Sequence, residues 1–290
     1  SGNYDVYAMN PDGSGVTDLT NNAADDASAA WSPDGTKIAF SSGRSGNFDI
    51  WVMNADGTGL DQLTHKSAFD AFPAWSPDGT KIAFESTRSG NYDVYSMNAD
   101  GTGVVQLTKK PQTDELPTWS PDGSLIAFDS NRGGSYDLYT IHADGSHVVQ
   151  ITKNAAADFE PRWSPDGATF AFVSTRSAGY QIWTIGTNAK GAAQVTADPS
   201  DNLDPTWSPD GTQLAFDSDR TGTFQIYTIA PDGSGTTEIT SAGDVNELPN
   251  WVGDASAAAP LGAPARAMTR RTGPAWTGAV VEASSRVERT

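Results

Sequence analysis

Short apolar runs recur along the chain, separated by polar turns rich in Asp, Asn, Gly and Pro. The unit that contains Trp31 shows the pattern. A strand ending in tryptophan, carrying Pro-x-Trp in copies such as Pro73-Ala74-Trp75, meets the turn Ser32-Pro33-Asp34-Gly35. Proline presets φ in such a turn and glycine accepts positive φ. Next comes Lys37-Ile38-Ala39-Phe40, with Ile38 and Phe40 on one face. A glycine-containing loop with Arg44 leads to Asp49-Ile50-Trp51-Val52-Met53. The turn Asn54-Ala55-Asp56-Gly57, whose Asp-Gly pair is a hairpin signal, leads to a last short strand over residues 60–64. Apolar residues on both faces of the middle strands predict sheets covered on both sides.

The pattern repeats at a fixed interval. Trp-Ser-Pro-Asp-Gly occurs at Trp31, Trp75, Trp119, Trp163 and Trp207, always 44 residues apart, and Trp251 keeps the register. Four strands in a unit of this length define a propeller blade. The expected fold is all-β: a six-bladed β-propeller of four-stranded blades over residues 1–254. One blade is split, its outer strands supplied by the first 30 residues and its inner strand by the segment around Trp251. Such closure leaves no long exposed edge, whereas a solenoid would need caps that the sequence does not show. The chain opens inside a repeat, which implies processing or a preceding segment.

Residues 255–290 form an Ala/Pro/Arg-rich tail that drops the acidic repeat. It reads as a poorly ordered extension or linker, or as a returning strand. For the latter, Val280-Val281-Glu282-Ala283-Ser284-Ser285-Arg286 resembles the second strand of a unit.

The formal net charge is −18 and cysteine is absent. Phosphate backbones and anionic surfaces are therefore repelled, and basic partners and cations favoured. No apolar run approaches the roughly 20 residues that a membrane helix needs. Catalysis has no motif behind it: there is no Gly-x-Ser-x-Gly, and His65, His142 and His147 fall at unrelated repeat positions. No catalytic residue is assigned.

Several polar columns have structural readings. The turn aspartates Asp34, Asp78, Asp122, Asp166 and Asp210 are expected to bond their own backbone. Arg44, Arg88, Arg132, Arg176 and Arg220 are expected to pair with Asp5, Asp49, Asp93 and Asp137, the column that becomes Gln181 and Gln225. One column points elsewhere. Asp26, Asp70, Asp114, Asp158, Asn202 and Asn246 stand five residues before each tryptophan, on the strand nearest the axis. They are expected either to cap their own strands or to ring the channel mouth and hold a hard cation. Ca²⁺, with about 6–8 oxygen ligands, suits such a ring. Glu115, Glu160, Asp204 and Glu247, with Asp25, make the mouth acidic and are the expected partner-binding residues.

The combination Trp-Ser-Pro-Asp-Gly-x-x-Ile-Ala-Phe, then Arg, then Asp-Ile-Tyr and Asn-Ala-Asp-Gly resembles the WD40-like PD40 repeats of TolB-type β-propellers. The resemblance spans residues 1 to about 254. It implies a six-bladed propeller of exported bacterial proteins, hence a periplasmic or extracellular location and a protein partner. TolB itself couples a peptidoglycan-associated lipoprotein to the Tol system through an additional α/β domain that this sequence does not include. The expected function is a non-enzymatic scaffold, monomeric, that binds a protein or peptide at an acidic channel mouth, without nucleic acid or membrane insertion. Two alternatives remain: a head-to-tail structural assembly in which neighbours complete the split blade, and a hydrolase or lyase acting on polysaccharide.

Overall fold

The computed structural model describes residues 3–241, 244–252 and 266–271. It shows an all-β propeller of four-stranded blades. Five antiparallel sheets each use four successive strands. In the first of them, Asp26–Trp31 is followed by Lys37–Ser42, Asp49–Asn54 and the two-residue strand Asp61–Gln62. The inner strands of the others are Asp70–Trp75, Asp114–Trp119, Asp158–Trp163 and Asn202–Trp207. The outermost strands have two residues each, which keeps every exposed edge short.

A sixth four-stranded sheet is drawn from both ends of the chain. Its order is Thr17–Asp18, Tyr4–Met9, Arg266–Arg271, Val245–Trp251. Arg266–Arg271 pairs antiparallel with Tyr4–Met9 on one side and with Val245–Trp251 on the other. The returning strand thus comes from an earlier part of the tail than expected, and the proposed Val280–Arg286 match lies outside the described residues. Among the described residues, this sheet is completed by the chain's own strand Arg266–Arg271.

The core lies between adjacent sheets. Ala39, Ile50, Val52 and Leu63 of one sheet pack against Ile82, Phe84, Tyr95 and Met97 of the next. The same arrangement recurs one unit on, where Ala83, Val94 and Leu107 meet Ile126, Phe128, Tyr139 and Ile141. Five of the hairpin turns also dock through a glycine on the preceding sheet. Gly57 has φ +83°, and a Cβ there would lie 2.9 Å from the Leu19 carbonyl oxygen. Gly13, near the start of the chain, sits in the same way against the Ile239 carbonyl, at only 2.3 Å. Only glycine meets both the dihedral and the clearance. The Ser-Pro-Asp-Gly turns behave as read: Asp34 Oδ1 accepts the Ser32 hydroxyl at 2.6 Å and the Thr36 amide at 3.1 Å.

Each inner strand carries a bulge at the same place. The register against the second strand shifts between Ala27 and Ala30, Ala71 and Ala74, and so on round the molecule. Ser28, Phe72, Leu116, Glu160, Asp204 and Leu248 there adopt φ of 54°, 50°, 54°, 56°, 51° and 55°. A left-handed conformation at non-glycine residues costs about 1 kcal/mol or more each and persists only where neighbours hold it. Acceptors from the preceding sheet supply that hold. Leu116 N donates to Glu85 Oε2 at 3.0 Å, Glu160 N to Asp129 Oδ2 at 3.0 Å, and Phe72 N to Ser41 Oγ at 3.1 Å.

Candidate functional site: a tryptophan-ringed cavity on the axis

The inner strands converge on a cavity of about 280 Å³. Its wall runs from the bulge residues to the Ser-Pro-Asp-Gly turns, so the whole tryptophan column, Trp31 to Trp251, lines it. Pro73, Pro117 and Pro249 stiffen the wall, and the charged side chains in it are Arg162 and Asp204. Three of the six indoles tie their strand to the preceding inner strand. Trp75 Nε1 donates to the Ala30 carbonyl at 3.1 Å, Trp163 to Thr118 at 3.3 Å, and Trp207 to Arg162 at 3.2 Å. The result is a tryptophan-rich cup with two charged side chains, three of its indoles held by hydrogen bonds.

This differs from the acidic mouth expected from the sequence. Glu115 and Glu160 are buried, at 4% and 3% exposure, and neither lines the cavity. Asp204 does line it but is also buried, and its amide is held by Glu160 Oε2 at 2.7 Å. Glu247 is half-buried. Asp25 is engaged with the Tyr4 amide at 2.9 Å. Glu160 and Asp204 sit at the bulges themselves, where Glu160 reaches the Asp204 amide of the next sheet.

The proposed cation column is also placed differently. Asp26, Asp70, Asp114 and Asp158 are fully buried and lie at the opposite end of the inner strands from the tryptophans. Each is the ion-pair partner of its own sheet's arginine. Arg44, Arg88, Arg132 and Arg176 donate to them at 2.7, 2.6, 2.6 and 2.6 Å. Arg220 donates to Asn202 Oδ1 at 2.7 Å and pairs with Asp198 at 3.0 Å. Each guanidinium rests between two rings: Arg132 is 5.1 Å from the Phe128 centroid and 5.0 Å from that of Tyr139. The aromatic slot fixes the planar cation and shields its pair from water. A calcium ion does not fit a column whose charge is already balanced this way. Among the described residues no group of three or more His, Asp or Glu is gathered to hold an ion.

The arginines were expected to pair with Asp5, Asp49, Asp93 and Asp137. These aspartates instead use neutral donors. Asp93 accepts from Ser89 Oγ at 2.5 Å, Thr108 Oγ1 at 2.9 Å and Gln106 Nε2 at 3.0 Å. Burial, opposed by those bonds and reinforced by Asp114 of the next sheet, pushes its carboxyl above the ordinary aspartate value of 3.8. Asp5, Asp49 and Asp137 shift upward for the same leading reason, with Asp26, Asp70 and Asp158 among the neighbours that add to it. Facing these pairs, Asp26 Oδ1, Asp70 Oδ1 and Asp114 Oδ2 have no hydrogen-bond partner. At the two remaining interfaces both members are amides: Asn202 Nδ2 donates to Gln181 Oε1 at 3.2 Å, and Asn246 Nδ2 to Gln225 Oε1 at 3.0 Å. Acid facing acid has been exchanged for amide facing amide.

A pH dependence follows. A carboxyl raised in the folded state favours folding fully below its unfolded value, and that contribution is lost as pH rises through the folded value. Asp93→Gln, which copies Gln181 and Gln225, removes the loss. The variant's melting temperature, measured against wild type, should therefore gain ground between pH 4 and pH 7. A difference that stays flat over that range would contradict the assignment.

The repeat chemistry and the axial cup together define a β-propeller in which four blades each hold a buried Arg–Asp pair of their own. The chain belongs to the PD40 family, the TolB beta propeller domain. The family model matches residues 43–114, 61–173, 107–200 and 157–261, together well over half of the chain. A putative TolB from Agrobacterium tumefaciens is 20% identical, with a TM-score of 0.74 over 83% of this chain and 89% of that one. TolB from Acinetobacter baumannii is 22% identical, with a TM-score of 0.75 over 87% of this chain and 67% of that one. An oligogalacturonate lyase in complex with manganese shares the fold at 16% identity, with a TM-score of 0.56 over 79% of this chain and 70% of that one. A search of curated protein sequences finds no match.

Proposed function

We propose that the chain is a non-catalytic TolB-like scaffold, a six-bladed ring closed by the composite sheet, that receives a segment of a protein partner in its axial cup. One observation carries this reading: six tryptophans and five prolines line a cavity of about 280 Å³ in which Arg162 and Asp204 are the charged side chains. Rigid aromatic walls give large contact area at little entropy cost, the property of binding hot spots. The volume suits one or two side chains of an extended peptide rather than a drug-sized ligand. A periplasmic or extracellular setting accords with the family and with a chain that has no cysteine. The polysaccharide reading finds no support in the histidines, since His65, His142 and His147 do not line the cup.

The test is selection of extended peptides from a displayed library on the immobilised protein. Thr118 lines the cup, and Thr118→Arg should obstruct it without touching the main-chain carbonyl that Trp163 uses. Peptides selected on the wild type should bind this variant at least tenfold more weakly. Enriched peptides that bind both proteins alike, or a selection that enriches nothing, would remove the proposal.

A further inference from the structure

In the hairpin turns between the third and fourth strands, two columns lie against each other. Asn10, Asn54 and Asn98 begin the turn, and Gly15, Gly59 and Gly103 follow five residues later. A Cβ on those glycines would come within 2.9, 2.6 and 2.8 Å of the respective asparagine Nδ2. In these three hairpins the glycine leaves room for the asparagine amide and adopts φ of +66° to +68°. Two hairpins keep only the glycine, with Gly186 and Ala230 in the asparagine column, and one departs in both columns. His142 stands in the asparagine position and His147 in the glycine position, with φ 54°.

The two substitutions meet. The imidazole centroids are 4.9 Å apart and tilted by 35°, and both residues are exposed. His147 Nδ1 is within 3.0 Å of Ser146 Oγ, which leaves its Nε2 open. Asp144 lies in the same turn, its Oδ1 accepting the Ser146 amide at 2.9 Å, and both imidazoles add to the pull that holds its carboxyl below the usual range, after the Ser146 bonds. His147 is left-handed where the repeat uses glycine, a conformation that costs energy in a residue with a side chain.

We propose that His142 and His147 form a two-imidazole clamp for a borderline divalent transition ion, with Asp144 as the adjacent counter-charge. Two imidazole nitrogens sharing one ion at about 2.0–2.1 Å stand about 3 Å apart, which side-chain rotation brings within reach of rings already in contact. Imidazole with water completing the shell favours Cu²⁺ over the other first-row ions. This site is separate from the axial cup and does not depend on the peptide-binding reading.

The probe is copper(II), titrated into the full chain by calorimetry, with electron paramagnetic resonance of the bound ion. One equivalent should bind with two equatorial nitrogens. His147→Gly restores the repeat's own residue, so its fold is safe, and it should weaken copper at least tenfold and remove the two-nitrogen signal. His142→Asn should do the same, while His65→Ala should leave both readouts unchanged. Equal binding by wild type and His147→Gly, or no stoichiometric binding by wild type at 100 µM copper, would overturn the assignment.

Discussion

Truncated after Asp254, the protein is expected to melt at least about 10 °C lower than the full chain, with a broadened transition. Arg266–Arg271 pairs with six residues of Tyr4–Met9 and with five of Val245–Trp251. At roughly 0.5–1.5 kcal/mol net per ladder bond, the loss is on the order of 5 kcal/mol or more. For a domain of this size about 2–4 °C accompanies each kcal/mol. Val6 and Met9, both buried on the strand beside it, would gain water access as well. Scanning calorimetry of the two chains decides the matter. An unchanged midpoint would mean that the tail strand does not close the ring, and the six-bladed reading would fall with it.

The second large effect is expected at Arg132. Arg132→Ala leaves the fully buried Asp114 carboxylate without its cation and opens the slot between Phe128 and Tyr139. Removing one partner of a buried pair costs about 3–5 kcal/mol, because the remaining charge is stranded. Asp114→Asn should cost clearly less. The protein already contains that arrangement, with Asn202 accepting from Arg220 at 2.7 Å. Urea unfolding of both variants gives the comparison. If Asp114→Asn proved as damaging as Arg132→Ala, the pair's charge rather than its geometry would be what holds the blade. If neither variant lost stability, the pairs would be ornamental.

Much of the fold was legible in the sequence because its determinants are local. The Ser-Pro-Asp-Gly turn needs only its own residues, and Asp34 bonds within five positions of itself. The 44-residue step fixed the blades before any contact was known. The site was less legible. Ser42 lies in register with Asp26 on one side and Asp49 on the other, so spacing alone did not say which carboxylate meets Arg44. The bulge at Ser28 and its equivalents interrupts side-chain alternation, so the facing of residues before it could not be counted from Trp31. Glu85 and Asp129, which hold the bulges, were missed. They occupy the column of Ser41 and Asp217, where an oxygen-bearing side chain recurs but Val173 breaks the run. The tryptophans carry the repeat in the sequence and were given no site role. Their column shares the inner strand with Asp26, and the axial argument applied to the aspartates pointed to them equally well.

The two ends of the blades differ in how much change they can absorb. At one end the Asp-Gly hairpins sit against the carbonyls of the preceding sheet, so an insertion there would wedge neighbours apart. At the other, Gly46, Gly90, Gly134 and Gly222 have nothing within 4 Å of a hypothetical Cβ. Foreign loops grafted at those tips would project from the rim without disturbing the interlocks. The molecule thus carries an interlocked chassis on one side and a display surface on the other, so added loops need not alter the circumference of the ring.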